Sequence, residues 1–204
     1  MNETLILTYT AIISLAYLIG SIPFGIVLGP LFKVGDIRSI GSGNIGATNA
    51  LRTGNKKFAI AVLLGDAVKG AIAICLARYF FGDMAAHAGL IAGLVALIGH
   101  VFPIWLRFKG GKGVATGAGI LLALHWPAGL MCLAIWLITA RLSRYSSLSA
   151  IMAALHAPFY AVVTQGREYA LPFCFISVVL LWTHHDNIRR LAKGEESTIK
   201  VKSS

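Results

Sequence analysis

Three short segments of this chain concentrate side chains able to handle a charged, oxygen-rich substrate. The first reads Gly41-Ser42-Gly43-Asn44-Ile45-Gly46-Ala47-Thr48-Asn49, with Arg52 three positions on. Glycines two and three residues apart let the backbone turn its N–H groups toward one point, and such a nest binds anions. Gly43, Asn44, Gly46, Thr48 and Arg52 are the candidate ligands, with Ser42 beside them as a reactive or orienting hydroxyl. A flexible linker would repeat glycine and serine without interleaving asparagines, a threonine and an arginine.

The second segment, Lys109-Gly110-Gly111-Lys112-Gly113-Val114-Ala115-Thr116, runs straight into an apolar stretch that reads as a helix. Backbone amides, a helix N-terminus and lysines then coincide, which suits phosphate. Gly110, Gly111, Lys112 and Gly113 are the candidates. Lys109 reads as a topology charge, whereas Lys112, between two glycines, is the better ligand. The Walker A spacing is absent and no strand precedes the glycines.

The third segment is Thr183-His184-His185-Asp186-Asn187-Ile188-Arg189-Arg190-Leu191, followed by Gly194-Glu195-Glu196. Two histidines, an aspartate and an asparagine suit catalysis or a metal. Adjacent histidines on a helix point about 100° apart and cannot chelate from one face, which argues against a metal. His184 and Asn187 remain as catalytic candidates, while the arginines and glutamates read as solvated charges at a helix end. Two smaller groups stand apart. Asp66 and Lys69 are spaced to pair along one apolar helix. Ser147 and Ser149 either cap a helix or join a phosphate site.

The elements that carry these segments must lie in lipid. Hydrophobic residues make up 57% of the 204 and charged residues 13%, with a mean hydropathy of +0.76. The apolar runs are long and do not alternate, so a helical bundle is expected rather than a barrel. Runs at 4–31, 56–81, 85–106, 113–124, 127–141, 147–164 and 169–184 predict seven transmembrane helices in one all-α domain over 1–204, with a tail from 186. The fourth and fifth arise because Pro127, after His125-Trp126, disfavours one continuous helix. They are expected to be short. One kinked helix in their place would make six spans.

Seven spans place 32–55, 107–112, 142–146 and the tail on one side. All 18 lysines and arginines except Lys69, Arg78 and Arg167 fall on or beside that side, Lys200 and Lys202 included. By the positive-inside rule it is cytoplasmic, with Met1-Asn2-Glu3 outside. The net charge of +10 is therefore topological, and no aromatic-interleaved basic surface suggests nucleic acid. Cys75, Cys132 and Cys174 lie in apolar runs and say nothing about disulfides. The first run lacks a basic leader and a cleavage site, so it stays as a span.

Taken in order, the three segments resemble the signature motifs of the bacterial acyl-phosphate:glycerol-3-phosphate acyltransferase (PlsY) family, and the likeness covers nearly the whole chain. It implies acyl transfer from acyl phosphate to the sn-1 hydroxyl of glycerol 3-phosphate, giving lysophosphatidate and phosphate for phospholipid synthesis. It implies further a multi-pass enzyme of the bacterial inner membrane with its site facing the cytoplasm, in contact with membrane lipid and acting as a monomer without cofactor, metal or nucleic acid.

Two anion loops on one face match two phosphorylated substrates. Phosphate is a good leaving group, with a second pKa of about 6, so no strong general acid is needed. Ser42, Thr48, His184 and Asn187 would position substrates while an oxygen of acyl phosphate takes the hydroxyl proton. His184 as base and a covalent acyl-Ser42 are the alternatives. The competing reading is a transporter for a phosphorylated solute, although the polar motifs crowd one face.

Overall fold

The computed structural model describes residues 3–82, 85–165 and 170–199. The expectations that fall on Met1, Asn2, Arg167, residue 169, Lys200 and Lys202 lie outside the described residues. Among those described, the chain is helical with no strand. Ten α-helices follow one another in the described residues: α1 Glu3–Gly20, α2 Phe24–Val27, α3 Ala47–Leu51, α4 Lys56–Phe81, α5 Ala85–Val101, α6 Val114–Leu124, α7 Trp126–Ser143, α8 Ser146–Gln165, α9 Ala170–Thr183 and α10 His185–Lys193.

The expectation of seven spans is corrected. Among the described residues four segments are long and apolar enough to cross a bilayer, at Lys56–Phe81, Ala86–Leu106, Trp126–Ser143 and Ser146–Thr164. The apolar helices Ile6–Gly20, Val114–Leu124 and Ala170–Thr183 are shorter. At about 1.5 Å per residue, the 11 residues of α6 cover roughly half of a hydrocarbon slab about 30 Å thick.

Prolines decide where these helices stop, and their effects differ. The run read as 4–31 ends at Gly20, because Pro23 cannot donate into a continuing helix and biases its predecessor away from helical geometry. At His125 the break falls where Pro127 predicted it. The residue is extended at φ −152° and ψ 91°, and its Nδ1 accepts from the Ala128 amide at 3.4 Å. Pro158, by contrast, lies inside α8 without ending it. A helical proline deprives the carbonyl four residues back of its donor, here Ala154. Ser177 on α9 supplies the replacement, its hydroxyl donating to Ala154 O at 2.6 Å.

Small residues bring the helices into backbone contact. A Cβ on Gly20 would strike the Ala96 carbonyl on α5, and one on Gly119 of α6 would strike the Ala67 carbonyl on α4. Such approaches suit bundles held by packing in lipid, where water cannot drive apolar surfaces together. The largest buried cluster joins Ile74, Leu97, Ile120, Cys132, Phe173 and Ile176 from α4, α5, α6, α7 and α9. Much apolar surface faces outward, including Leu64, Tyr79, Leu137 and Val178, as a lipid-facing exterior requires.

Candidate active site

Three loops and the start of α8 meet at one end of this bundle. Asn49, 2% exposed, shapes the first loop from within. Its Oδ1 accepts from the Ser42 amide at 3.1 Å, and its Nδ2 donates to the carbonyls of Ile37 at 2.7 Å and Asn44 at 2.8 Å. Gly41 and Gly43 turn through φ 55° and 69°, the left-handed region where glycine is least strained. Thr48 Oγ1 then lies 2.9 Å from Ser146 Oγ, tying this loop to α8.

The second loop is pinned against the end of α5. The Gly111 amide donates to His100 O at 3.1 Å and the Gly110 amide to Val101 O at 3.0 Å. Lys112 leaves that turn with its carbonyl accepting from Thr183 Oγ1 at 2.9 Å and its Nζ donating to Asn187 Oδ1. Burial holds the Lys112 ammonium below the usual lysine range. The Arg190 charge adds to that, and the Glu196 and Asp186 carboxylates offset part of it.

His184 and Asn187, the junction of α9 and α10, are both buried. His184 Nδ1 donates to Leu180 O at 2.7 Å, which fixes the neutral tautomer and leaves Nε2 as an acceptor. Desolvation lowers the His184 pKa to about 4, so the imidazole is uncharged at neutral pH. Asn187 Nδ2 donates to Glu196 Oε1 at 2.9 Å, and Arg190 Nε donates to Glu196 Oε2 at 2.8 Å. His185 points elsewhere, exposed and 3.2 Å from Asp186.

These segments surround one cavity of about 310 Å³. Ser42, Asn44, Thr48, Lys112, His184 and Asn187 line its polar end, together with Gly46, Arg52, Gly113 and Ser147. Cys132, Leu133, Leu137, Ala157 and Ile176 line the rest. Leu133 and Leu137 are also exposed on the outer surface of α7, so the apolar part lies one side chain from lipid. Ser147 Oγ is buried on the wall with no hydrogen-bond partner.

Four expected ligands do not line this cavity. Gly43 donates its amide to Ile40 O at 2.9 Å. Gly110 and Gly111 have given theirs to α5, so the second loop presents Lys112 and Gly113 rather than a full ring of amides. Ser149 is fully buried, its hydroxyl donating to Tyr145 O at 2.8 Å. Helix periodicity separates it from Ser147 by about 200°.

Other residues join the site unannounced. Glu196, Ser197 and Ile199 cross its mouth, Ser197 Oγ accepting from Arg52 at 2.6 Å and the Ile199 amide donating to Arg144 O at 2.8 Å. The pair of glutamates after Gly194 was visible as a motif, but nothing local showed that Glu196 folds inward. Asp66 and His100 also line the wall, and a carboxylate inside an apolar helix was the available signal.

A family model described as glycerol-3-phosphate acyltransferase matches residues 10–194. The chain belongs to this family. A glycerol-3-phosphate acyltransferase of Jannaschia sp. (strain CCS1) is 54% identical, covering 97% of this chain and 95% of the relative. One from Rhodopseudomonas palustris (strain BisB5) is 50% identical, covering 95% and 97%. In three dimensions the chain is similar to a crystal structure of PlsY (YgiH), an integral membrane glycerol 3-phosphate acyltransferase, in its glycerol 3-phosphate form. The TM-score is 0.86 at 35% identity, covering 94% of this chain and 95% of that one. The lysophosphatidic acid form of the same enzyme superposes with a TM-score of 0.85. The protein is thus an integral membrane glycerol-3-phosphate acyltransferase.

Proposed function

We propose that the chain transfers a fatty acyl group from acyl phosphate to the sn-1 hydroxyl of glycerol 3-phosphate, releasing lysophosphatidate and inorganic phosphate for phospholipid synthesis. The observation that carries this reading is one cavity, polar at the loop end and apolar along α7, α8 and α9. Acyl phosphate has that polarity. Glycerol 3-phosphate is small and anionic, and the structural neighbour has both a glycerol 3-phosphate and a lysophosphatidic acid form.

Lys112 and Arg52, with the Ser42–Gly46 loop, hold the two phosphates side by side, which supplies proximity and a positive field for the tetrahedral oxyanion. The glycerol hydroxyl oxygen attacks the acyl carbon and forms the new C–O bond. The bond from that carbon to the phosphate oxygen breaks, and the hydroxyl proton ends on phosphate. His184 is a poor base with a pKa of about 4, below the second phosphate pKa of about 6. Its Nε2 instead accepts and orients the attacking hydroxyl, while Ser42, Thr48, Asn187 and Ser147 fix the substrates. Because phosphate leaves readily, a covalent acyl-Ser42 is unnecessary.

The mouth faces the cytoplasm of a bacterial inner membrane, as Arg52, Lys109, Arg141, Arg144 and Arg189 at that end support. The enzyme acts as a monomer. The acyl chain enters from lipid past Leu133 and Leu137. The test is phosphate release from palmitoyl phosphate by purified protein. Release that requires glycerol 3-phosphate and yields a lysophosphatidate mass is the expected result. Release without that product, or solute uptake into liposomes with no product, refutes it.

A further inference from the structure

Asp66, Lys69 and His100 form an ionisable cluster inside the bundle, where such groups are costly and rarely idle. They are 1%, 2% and 4% exposed. Lys69 Nζ donates to Asp66 Oδ1 at 2.7 Å and to Ile22 O at 2.8 Å, linking α4 to the broken end of α1. His100 Nδ1 stands 3.6 Å from Asp66 Oδ1 and makes no hydrogen bond. A purely structural ion pair between Asp66 and Lys69 would need no third group, yet Asp66 and His100 both line the substrate cavity while Lys69 does not.

The other edge of the His100 ring shows what the cluster supports. A Cβ on Gly111 would collide with His100 Nε2, so the backbone of the second loop abuts that edge of the imidazole. The His100 carbonyl also accepts the Gly111 amide. Lys112 is the next residue, and its ammonium reaches Asn187. Hydrogen bonds link Ile22, Lys69 and Asp66, His100 follows across 3.6 Å, and its ring and carbonyl meet Gly111, the neighbour of Lys112.

We propose that Asp66 and His100 are positioning residues for the acyl transfer. Asp66, with Lys69 as its counter-charge, holds the imidazole, and the imidazole is the stop against which the 110–113 turn sets the Lys112 ammonium. An error of about 1 Å in such a group lowers a rate by as much as roughly a hundredfold. This inference rests on the reading that Lys112 holds a substrate phosphate.

The test reads Lys112 itself. Purified protein is trace-acetylated with acetic anhydride, and modification of Lys112 is followed by mass spectrometry across a glycerol 3-phosphate titration. Asp66→Asn with Lys69→Met removes both charges together, so no buried charge is left unpaired. His100→Ala removes the stop without changing an ion pair. The concentration giving half-protection should rise at least tenfold in both, and His100→Gln, whose amide spans the same gap, should return it to within threefold of wild type. Half-protection within twofold of wild type in the double variant and in His100→Ala overturns the proposal. If the double variant does not fold, unchanged protection in His100→Ala alone overturns it. Absence of any protection in the wild-type protein sinks the phosphate-binding reading of Lys112, and the brace with it, which is a separate result from intact protection that ignores the variants.

Discussion

Lowering the pH through the range from 6.5 to 4 should destabilise this protein through His184. The side chain is 3% exposed, gives its Nδ1 proton to Leu180 O, and has its pKa lowered from 6.5 to about 4 by desolvation. Between those values the unfolded chain binds a proton that the folded chain refuses. Stability therefore rises with pH across the window and is lost as pH falls. At about 1.4 kcal/mol per pH unit, the full loss is about 3 kcal/mol by pH 4, of which about 2 kcal/mol is gone at pH 5. For a chain of this size that is a drop in Tm of roughly 4–8 °C by pH 5. The comparison is thermal unfolding in detergent at pH 7 and pH 5 for wild type and His184→Asn, which cannot titrate there. The wild type should lose about 2 kcal/mol more than the variant. Parallel losses, within about 0.5 kcal/mol, would show that the imidazole is not held neutral by burial. They would also remove the reason for assigning the proton to substrate phosphate.

Three further outcomes follow from the geometry. Lys112→Ala should lower kcat/KM by on the order of a hundredfold with normal membrane insertion, and Lys109→Ala, exposed and outside the cavity, by less than about threefold; comparable losses in steady-state assays would undo the distinction. Glu196→Ala strips a carboxylate from both Asn187 and Arg190 and should destabilise by about 1–3 kcal/mol, against less than about 0.5 kcal/mol for the exposed Glu195→Ala, as checked by chemical unfolding. Ser177→Ala should cost about 1–2 kcal/mol by leaving the Ala154 carbonyl without a donor. Pro158→Ala should relieve that cost, since residue 158 regains an amide for the same carbonyl; a full cost in the double variant refutes the pairing.

Local chemistry made the character of this protein legible. Continuous apolar runs require helices in lipid, and glycine-rich, basic and histidine-bearing segments at their ends mark a candidate anion site without any knowledge of packing. Pro127 announced the break between α6 and α7 because a proline acts on its own neighbours. The same rule at Pro23 stops the first helix before that proline, well short of residue 31. Span number was less accessible, since an apolar run reveals its hydropathy but not where capping and packing stop the helix. Only tertiary structure could decide that Pro158 is tolerated, because its remedy, Ser177, comes from another helix. Similarly, Ser147 and Ser149 are alike in sequence, and the facing of α8 separates the cavity wall from the buried interior. Gly110 and Gly111 have the composition of a phosphate loop, yet their amides are paired with α5. Asp66 and His100, from different helices, become one group only when α4 and α5 pack, because side-chain chemistry is local in sequence and charge pairing is local in space.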